Sequence, residues 1–231
     1  MKRATATQRF LPTALVGLIL LIIAGCSSTP TESDILAEAN RRGPGEAIPY
    51  LVGLLKSPDP QTQDAAFRAI CHWNAEGQDS AVQALLNADD IELRCYAVYV
   101  LLRTGRDAVE TMPVLTSALR NSNPRVRAFA AGLVSEIGPP ACSAVPALAK
   151  MVDEDTGLPF LRAVTALGDI GDPSVLPVLE SKLNQIPNVA QPPDAQSLSA
   201  QDYWDNPWSK RKNLTLAVAK LKKIEGGHDT P

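Results

Sequence analysis

Aromatic side chains are scarce in this sequence: three Trp, four Tyr and four Phe make up 5% of its 231 residues. The apolar content is mostly Ala, Leu and Val, which suits closely stacked helices better than a sheet. No stretch alternates apolar and polar residues for long enough to argue a β-strand. Histidine is limited to His72 and His228, and neither stands at metal-ligand spacing from a second His or Cys. Cys71-His72-Trp73 forms no ligand set either, because neighbours on a helix point about 100° apart; His72 is expected to be a buried or rim histidine. Glycine-rich phosphate loops, nucleophile elbows and paired-carboxylate motifs are missing too, so no cofactor, metal or catalytic set is expected and the chain reads as a non-enzyme. Asp153-Glu154-Asp155 lacks the spaced ligands and the glycine of an EF-hand loop and reads as a solvated turn.

What is present begins with a basic start. Lys2, Arg3 and Arg9 precede an apolar run from Ala14 to Ala24, too short for the roughly 20 residues that a spanning helix needs. This is the layout of a secretory signal peptide. Its end, Ile23-Ala24-Gly25-Cys26, resembles the lipobox of bacterial lipoproteins. The resemblance implies cleavage between Gly25 and Cys26, lipid attachment at Cys26 and anchoring to the membrane through the N-terminal lipid, which several acyl chains make stable. An ordinary signal peptide or an uncleaved anchor is the plainer reading. Ser27 follows the cysteine, not the aspartate that resembles an inner-membrane retention signal, so a Gram-negative source implies the outer membrane facing the periplasm. Loss of residues 1–25 takes the net charge from −3 to about −6. An exported acidic chain is not a nucleic-acid binder, which needs clustered cations.

The rest of the chain is organised around Glu110–Gly138. Met112, Leu115, Ala118 and Leu119 form one helical stripe, with Pro113 in the opening turn. Asn121-Ser122-Asn123-Pro124 ends that helix and starts another. The second helix carries Val126, Phe129, Ala130, Leu133, Val134 and Ile137 as its apolar stripe, and Gly138 stops it. A hairpin of this size cannot bury its stripe alone and predicts neighbours of the same kind. They are found at Glu46–Trp73, Ser80–Gly105, Ser143–Gly171 and Asp172–Leu183, with Pro49, Pro146 and Pro177 in the place of Pro113. The interval from Pro113 to Pro146 is 33 residues and from Pro146 to Pro177 is 31.

These residues resemble the short bacterial HEAT-like repeat, of the type seen in phycobilisome lyases. The resemblance rests on the openings Ile48-Pro49, Val145-Pro146 and Leu176-Pro177, the turn Asn123-Pro124-Arg125-Val126-Arg127, and the closures Ile137-Gly138 and Ile170-Gly171. It implies an all-α fold, a right-handed α-solenoid of about five HEAT-like helical hairpins over residues 46–224. It also implies a ladder in which an acidic turn residue faces an arginine of the next repeat: Asp59 with Arg94, and Asp89 or Asp90 with Arg127. The ladder breaks where Asn123 meets Phe160, with Arg162 two residues on. Solvated surface charges are the alternative reading. Cys71 and Cys95 fall in second helices of adjacent repeats, offset by about 10 Å along the axis. That is too far for a disulfide, so free thiols acting as small buried apolar residues are expected.

At the ends, residues 26–33 read as a tether and 34–45 as a capping helix, with Asp34 as its cap and Ile35, Leu36 and Ala39 covering the first repeat. Residues 186–207 carry four prolines and interrupt the period as an inserted loop. A helix from Trp208 to Ile224 resumes it, with Leu214, Ala217, Val218, Leu221 and Ile224 as the buried stripe. Its Lys220, Lys222 and Lys223 suit the C-terminal dipole or offer a basic face to anionic lipid or a partner. Residues 225–231 read as a frayed tail. Tyr203, Trp204 and Trp208 in and beside the insertion are the candidate partner-binding residues, or they pin the loop over the final repeats. The whole reads as a lipid-anchored envelope scaffold that binds another, unknown, envelope protein through its solenoid surface. The alternatives are an enzyme or enzyme accessory related to the HEAT-like chromophore lyases, and a structural lipoprotein contacting peptidoglycan.

Overall fold

The computed structural model describes residues 29–194 and 198–227. Gly25 and Cys26 lie outside the described residues, with the rest of the expected signal peptide. The described residues form twelve α-helices and no strand: α1 (Glu32–Arg42), α2 (Pro44–Leu55), α3 (Pro60–His72), α4 (Ala75–Leu86), α5 (Ile91–Arg103), α6 (Met112–Ala118), α7 (Pro124–Ile137), α8 (Val145–Glu154), α9 (Gly157–Ile170), α10 (Leu176–Gln185), α11 (Ala200–Asp205) and α12 (Pro207–Gly227). The chain divides into two compact units, with the division after Ser80, inside α4.

In the first unit, α1 packs on both helices of the α2/α3 hairpin. Its Ile35 and Ala39 are fully covered, so its apolar face is spent on that packing. The helix begins earlier than expected. Thr31 is the N-cap, and Asp34, taken from sequence as the cap, is instead the third helical residue, whose carboxylate accepts from the Thr31 backbone N–H at 3.0 Å. A Thr and an acidic residue three apart satisfy two orphan N–H groups reciprocally, and this outweighs a single Asp cap. Gly43 (φ 72°) both ends α1 and opens α2, a backbone conformation that favours glycine. Consequently Pro49 lies inside α2, not in its opening turn. Between α3 and α4 the buried Trp73 donates its indole N–H to the Asn40 carboxamide at 2.9 Å. Its ring lies so close over Gly77 that a Cβ there would sit 2.2 Å from it.

The second unit is a stack of hairpins. Helix α6 pairs with α7, α8 with α9, and α10 with α12; the second helices α5, α7, α9 and α12 pack each on the next. Alanines permit the close approach: Ala118, Ala130, Ala131, Ala163 and Ala166 are fully buried. At Gly168 of α9, a Cβ would stand 3.4 Å from the Ala217 Cβ of α12. Between these small residues sit the large ones, Leu115, Leu148, Phe160, Leu167, Leu179 and Leu214, each contributing about 2–3 kcal/mol by burial. Pro113, Pro146 and Pro177 occupy the first turns of α6, α8 and α10, each behind a short 3-10 turn. Their missing N–H is not needed there. The architecture is an all-α solenoid.

Three details depart from the sequence pattern. Phe129 and Ile137, assigned to the buried stripe of α7, are only half-buried. Packed on α5, α6 and α9, α7 also buries Ala128 and Ala131, and the two larger side chains are left at the edge of the contact. The insertion is not wholly a loop, since it contains α11, capped by Ser199. Helix α12 covers the expected 208–224 and packs on α9 and α10 as the second helix of the last hairpin. Ile224 of its stripe is half-buried while Leu214, Ala217, Val218 and Leu221 are buried.

Candidate binding surface

The aromatic residues singled out in the sequence are gathered, and they are also held. Tyr203 and Trp204 lie on α11 and Trp208 in the first turn of α12, all three half-buried. Tyr203 meets Trp208 edge to face, ring centroids 6.2 Å apart. The Lys212 ammonium lies 5.0 Å over the Trp208 ring. Around them Asn206 accepts the Trp208 backbone N–H at 2.9 Å, and Asp205 pairs with Lys210 at 3.5 Å. With α11 packed on α9 and α12, the cluster fastens the insertion to the last repeats. Two of the three lysines near the end of α12 are likewise engaged: Lys220 pairs with Asp169 at 2.7 Å and Lys222 with Glu180 at 2.6 Å. Those cations tie α12 to α9 and α10, which the dipole argument did not anticipate.

The turn charges follow a rule different from the expected ladder. Asp59 and Asp90 each cap their own helix, accepting from Gln61 and Thr62 and from Glu92 respectively. Arg94 donates to the Ala88 carbonyl at 2.5 Å. Arg127 pairs with Asp155 of the following repeat, and it also donates to the Asn121 and Ser122 carbonyls at 2.8 and 3.0 Å. The rung assigned to Arg127 therefore runs forward to Asp155, not back to Asp89 or Asp90, and Asp155 is an ion-paired residue, not part of a solvated turn. A common geometry underlies this. Gln63, Arg94 and Arg127 each lie four residues after an N-cap, and each donates to the carbonyl two residues before that cap, Ser57, Ala88 or Asn121. A residue one helical turn in reaches back over the cap and closes the inter-helix turn, whose carbonyls would otherwise lack partners. The signal was legible as a four-residue offset from Asp59, Asp90 and Asn123. In α9 the position is Phe160, buried and apolar, and Thr156 makes no side-chain cap. In the last hairpin Arg211 of α12 donates to the Leu183 and Ile186 carbonyls, both at 2.8 Å.

A second aromatic group escaped the sequence reading. On α5 and α7, Phe129 lies 5.2 Å from Tyr96 and 5.8 Å, edge to face, from Tyr99. All three are half-buried. Burial raises the Tyr96 hydroxyl above its ordinary pKa, and the Glu92 charge adds to the effect. Tyr96 and Phe129 are separated by the same 33 residues as Pro113 and Pro146, so equal repeat register was the missed clue. Helix α6 borders an open groove.

Among the described residues, Cys71, Cys95 and Cys142 form no disulfide. Only Cys95 is the buried thiol expected; Cys71 is half-buried and Cys142 exposed. Burial pushes the Cys95 thiol up to about 12. His72, expected to be buried or at a rim, is exposed and stands 2.5 Å from Glu32. Among the described residues no group of His, Cys, Asp and Glu could hold a metal ion, and no helix is long and apolar enough to cross a membrane.

Residues 78–163 match the family of HEAT repeats, and residues 159–185 match the PBS lyase HEAT-like repeat. No curated protein matches the chain. Among solved structures it is similar to an engineered protein from the Northeast Structural Genomics Consortium, at 20% identity over 86% of this chain and 94% of that one, with a TM-score of 0.44. From residue 78 to residue 185, the chain is built of HEAT-like repeats.

Proposed function

We propose that this protein is a non-enzymatic scaffold of the cell envelope, anchored by lipid at Cys26, whose repeat stack binds another envelope protein. The anchor is supported by the basic start, the short apolar run and the lipobox-like Ile23-Ala24-Gly25-Cys26. The binding role is supported by the HEAT-like repeats, which build an extended surface from successive helices. The single observation that carries it is the half-exposed group of Tyr96, Tyr99 and Phe129, which crosses two adjacent second helices. Aromatic side chains left half-covered in a rigid surface are the residue type that dominates binding energy at interfaces. Trp208 is packed on Tyr203, and the Trp204/Trp208 pair is secondary in this reading.

The experiment is affinity capture from envelope extracts, comparing wild type, Tyr96→Ala with Phe129→Ala, and Trp204→Ala with Trp208→Ala. The first pair is expected to lose a wild-type partner at unchanged helicity, and the second to retain it. An identical set of partners in all three removes the aromatic argument. For the anchor, Cys26→Ser is expected to abolish both acyl labelling and membrane retention. Retention without acyl label overturns the lipid attachment.

A further inference from the structure

The groove beside α6 has a chemistry of its own. Its volume is about 750 Å³ and it is open along one side, a shape that admits a chain segment more readily than it encloses a small molecule. Arg120 is the one charged residue lining it, among the hydroxyls of Thr116, Ser117, Ser122 and Ser143. Met112 and Pro113 supply an apolar edge.

Two features of Arg120 and its surroundings bear on what the groove could hold. Arg94, Arg127 and Arg211 spend their guanidinium groups on turn carbonyls or Asp155, whereas the Arg120 side chain is exposed and lines the groove. The rim beside it is also fixed in advance. Arg127, anchored on Asp155, holds the Asn121 and Ser122 carbonyls from behind, and the Asn121 carboxamide oxygen accepts the Asn123 backbone N–H at 2.8 Å. A rigid rim lowers the ordering cost of binding.

We infer that this groove is a docking site for an acidic peptide segment of the partner protein, with a carboxylate on Arg120 and neighbouring acceptors on the hydroxyls. The fork of a guanidinium matches a carboxylate in two parallel bonds, and charge complementarity selects the occupant: the site offers a lone cation and a ring of donors, and no anion. The inference rests on reading the stack as a protein-binding scaffold.

The test is amide NMR of the full chain titrated with an acetylated, amidated hexaglutamate peptide. Saturable shifts are expected at Ser117, Arg120, Asn121, Ser122 and Ser143, weakening as salt screens the pair. Arg120→Gln is expected to lower the affinity about tenfold or more, and Ser117→Ala with Ser143→Ala to lower it less, both with unchanged circular dichroism. Arg120→Lys should retain part of the binding. Three outcomes overturn the inference: shifts scattered over the surface, equal binding of a hexalysine peptide, or shifts at the groove produced by phosphatidylglycerol vesicles and not by hexaglutamate. Its failure is distinguishable from that of the scaffold reading. Partners lost through Tyr96→Ala with Phe129→Ala and kept in Arg120→Gln leave the scaffold standing without this groove.

Discussion

Arg127 donates from all three of its guanidinium nitrogens, two toward Asp155 and one toward the Asn121 and Ser122 carbonyls. With side chains only 19% and 12% exposed, removing one partner leaves the other charge largely desolvated. Arg127→Ala is therefore expected to cost about 2 kcal/mol of stability, less than the loss of a fully buried pair. Arg127→Lys should recover little, because an ammonium cannot span the carboxylate and both carbonyls. Thermal unfolding of the two variants, with Asp155→Asn to close the cycle, measures this; a coupling near zero would mean the pair is only a surface contact. The thiols give a second residue-scale prediction. The thiolate is the reactive form, so at pH 8 an aromatic disulfide reagent should label exposed Cys142 readily. Cys95, with its thiol pushed up to about 12 by burial, should react only on unfolding. Rapid labelling of Cys95 in the folded chain would contradict its place in the core.

At the scale of single helices, Gly77 separates propensity from packing. Alanine is intrinsically the better helix former by about 1 kcal/mol, so sequence alone makes Gly77→Ala stabilising. The ring of Trp73 stands where that methyl would go, and overpacking of this kind costs about 1–3 kcal/mol. The expected net result is destabilisation with a shift in Trp73 fluorescence, and a raised melting temperature would refute the packing. The capping helix α1 carries a pH dependence through Glu38. Hydrogen bonds from Arg41 and then Arg42 hold its carboxyl down to about 2, below its ordinary 4.5. A depressed carboxylate contributes stability that is complete above its unfolded pKa and is lost as pH falls through its folded one. The helicity of α1 should therefore weaken from about pH 4.5 toward 2, and Glu38→Gln should flatten that slope in α1 amide signals.

For the molecule as a whole, the hairpins of the second unit share their apolar faces with their neighbours. Truncation before Pro207 removes Leu214, Ala217, Val218 and Leu221, all buried against α9 and α10. It also removes the Lys220 and Lys222 pairs. Since a repeat stack depends on nearest-neighbour interfaces and a closing element, the truncated chain is expected to aggregate or to unfold at clearly lower temperature. Size-exclusion chromatography and calorimetry report this, and a monomeric truncation with unchanged melting would show that the stack ends before α12.

Helix identity, hairpin period, the proline openings and the last amphipathic helix were all written locally, in residues three, four and about 33 positions apart. Such signals survive without tertiary knowledge because each is set by backbone sterics and by the period of one helix. The HEAT-like resemblance belonged to the same class of information. What tertiary packing decided was the direction and exposure of side chains whose partners are far away in sequence. The Asp155 side chain belongs to Arg127, 28 residues earlier, and Phe129 stays at the edge of the core with Tyr96 and Tyr99 because alanines already fill the contacts of α7. Lys220 reaches Asp169, 51 residues back. Arg120, by contrast, stays exposed beside a fixed rim. A helical stripe says which side of a helix is apolar; only the neighbouring helices determine how much of that side is covered, and hence which aromatic and charged groups remain available for binding.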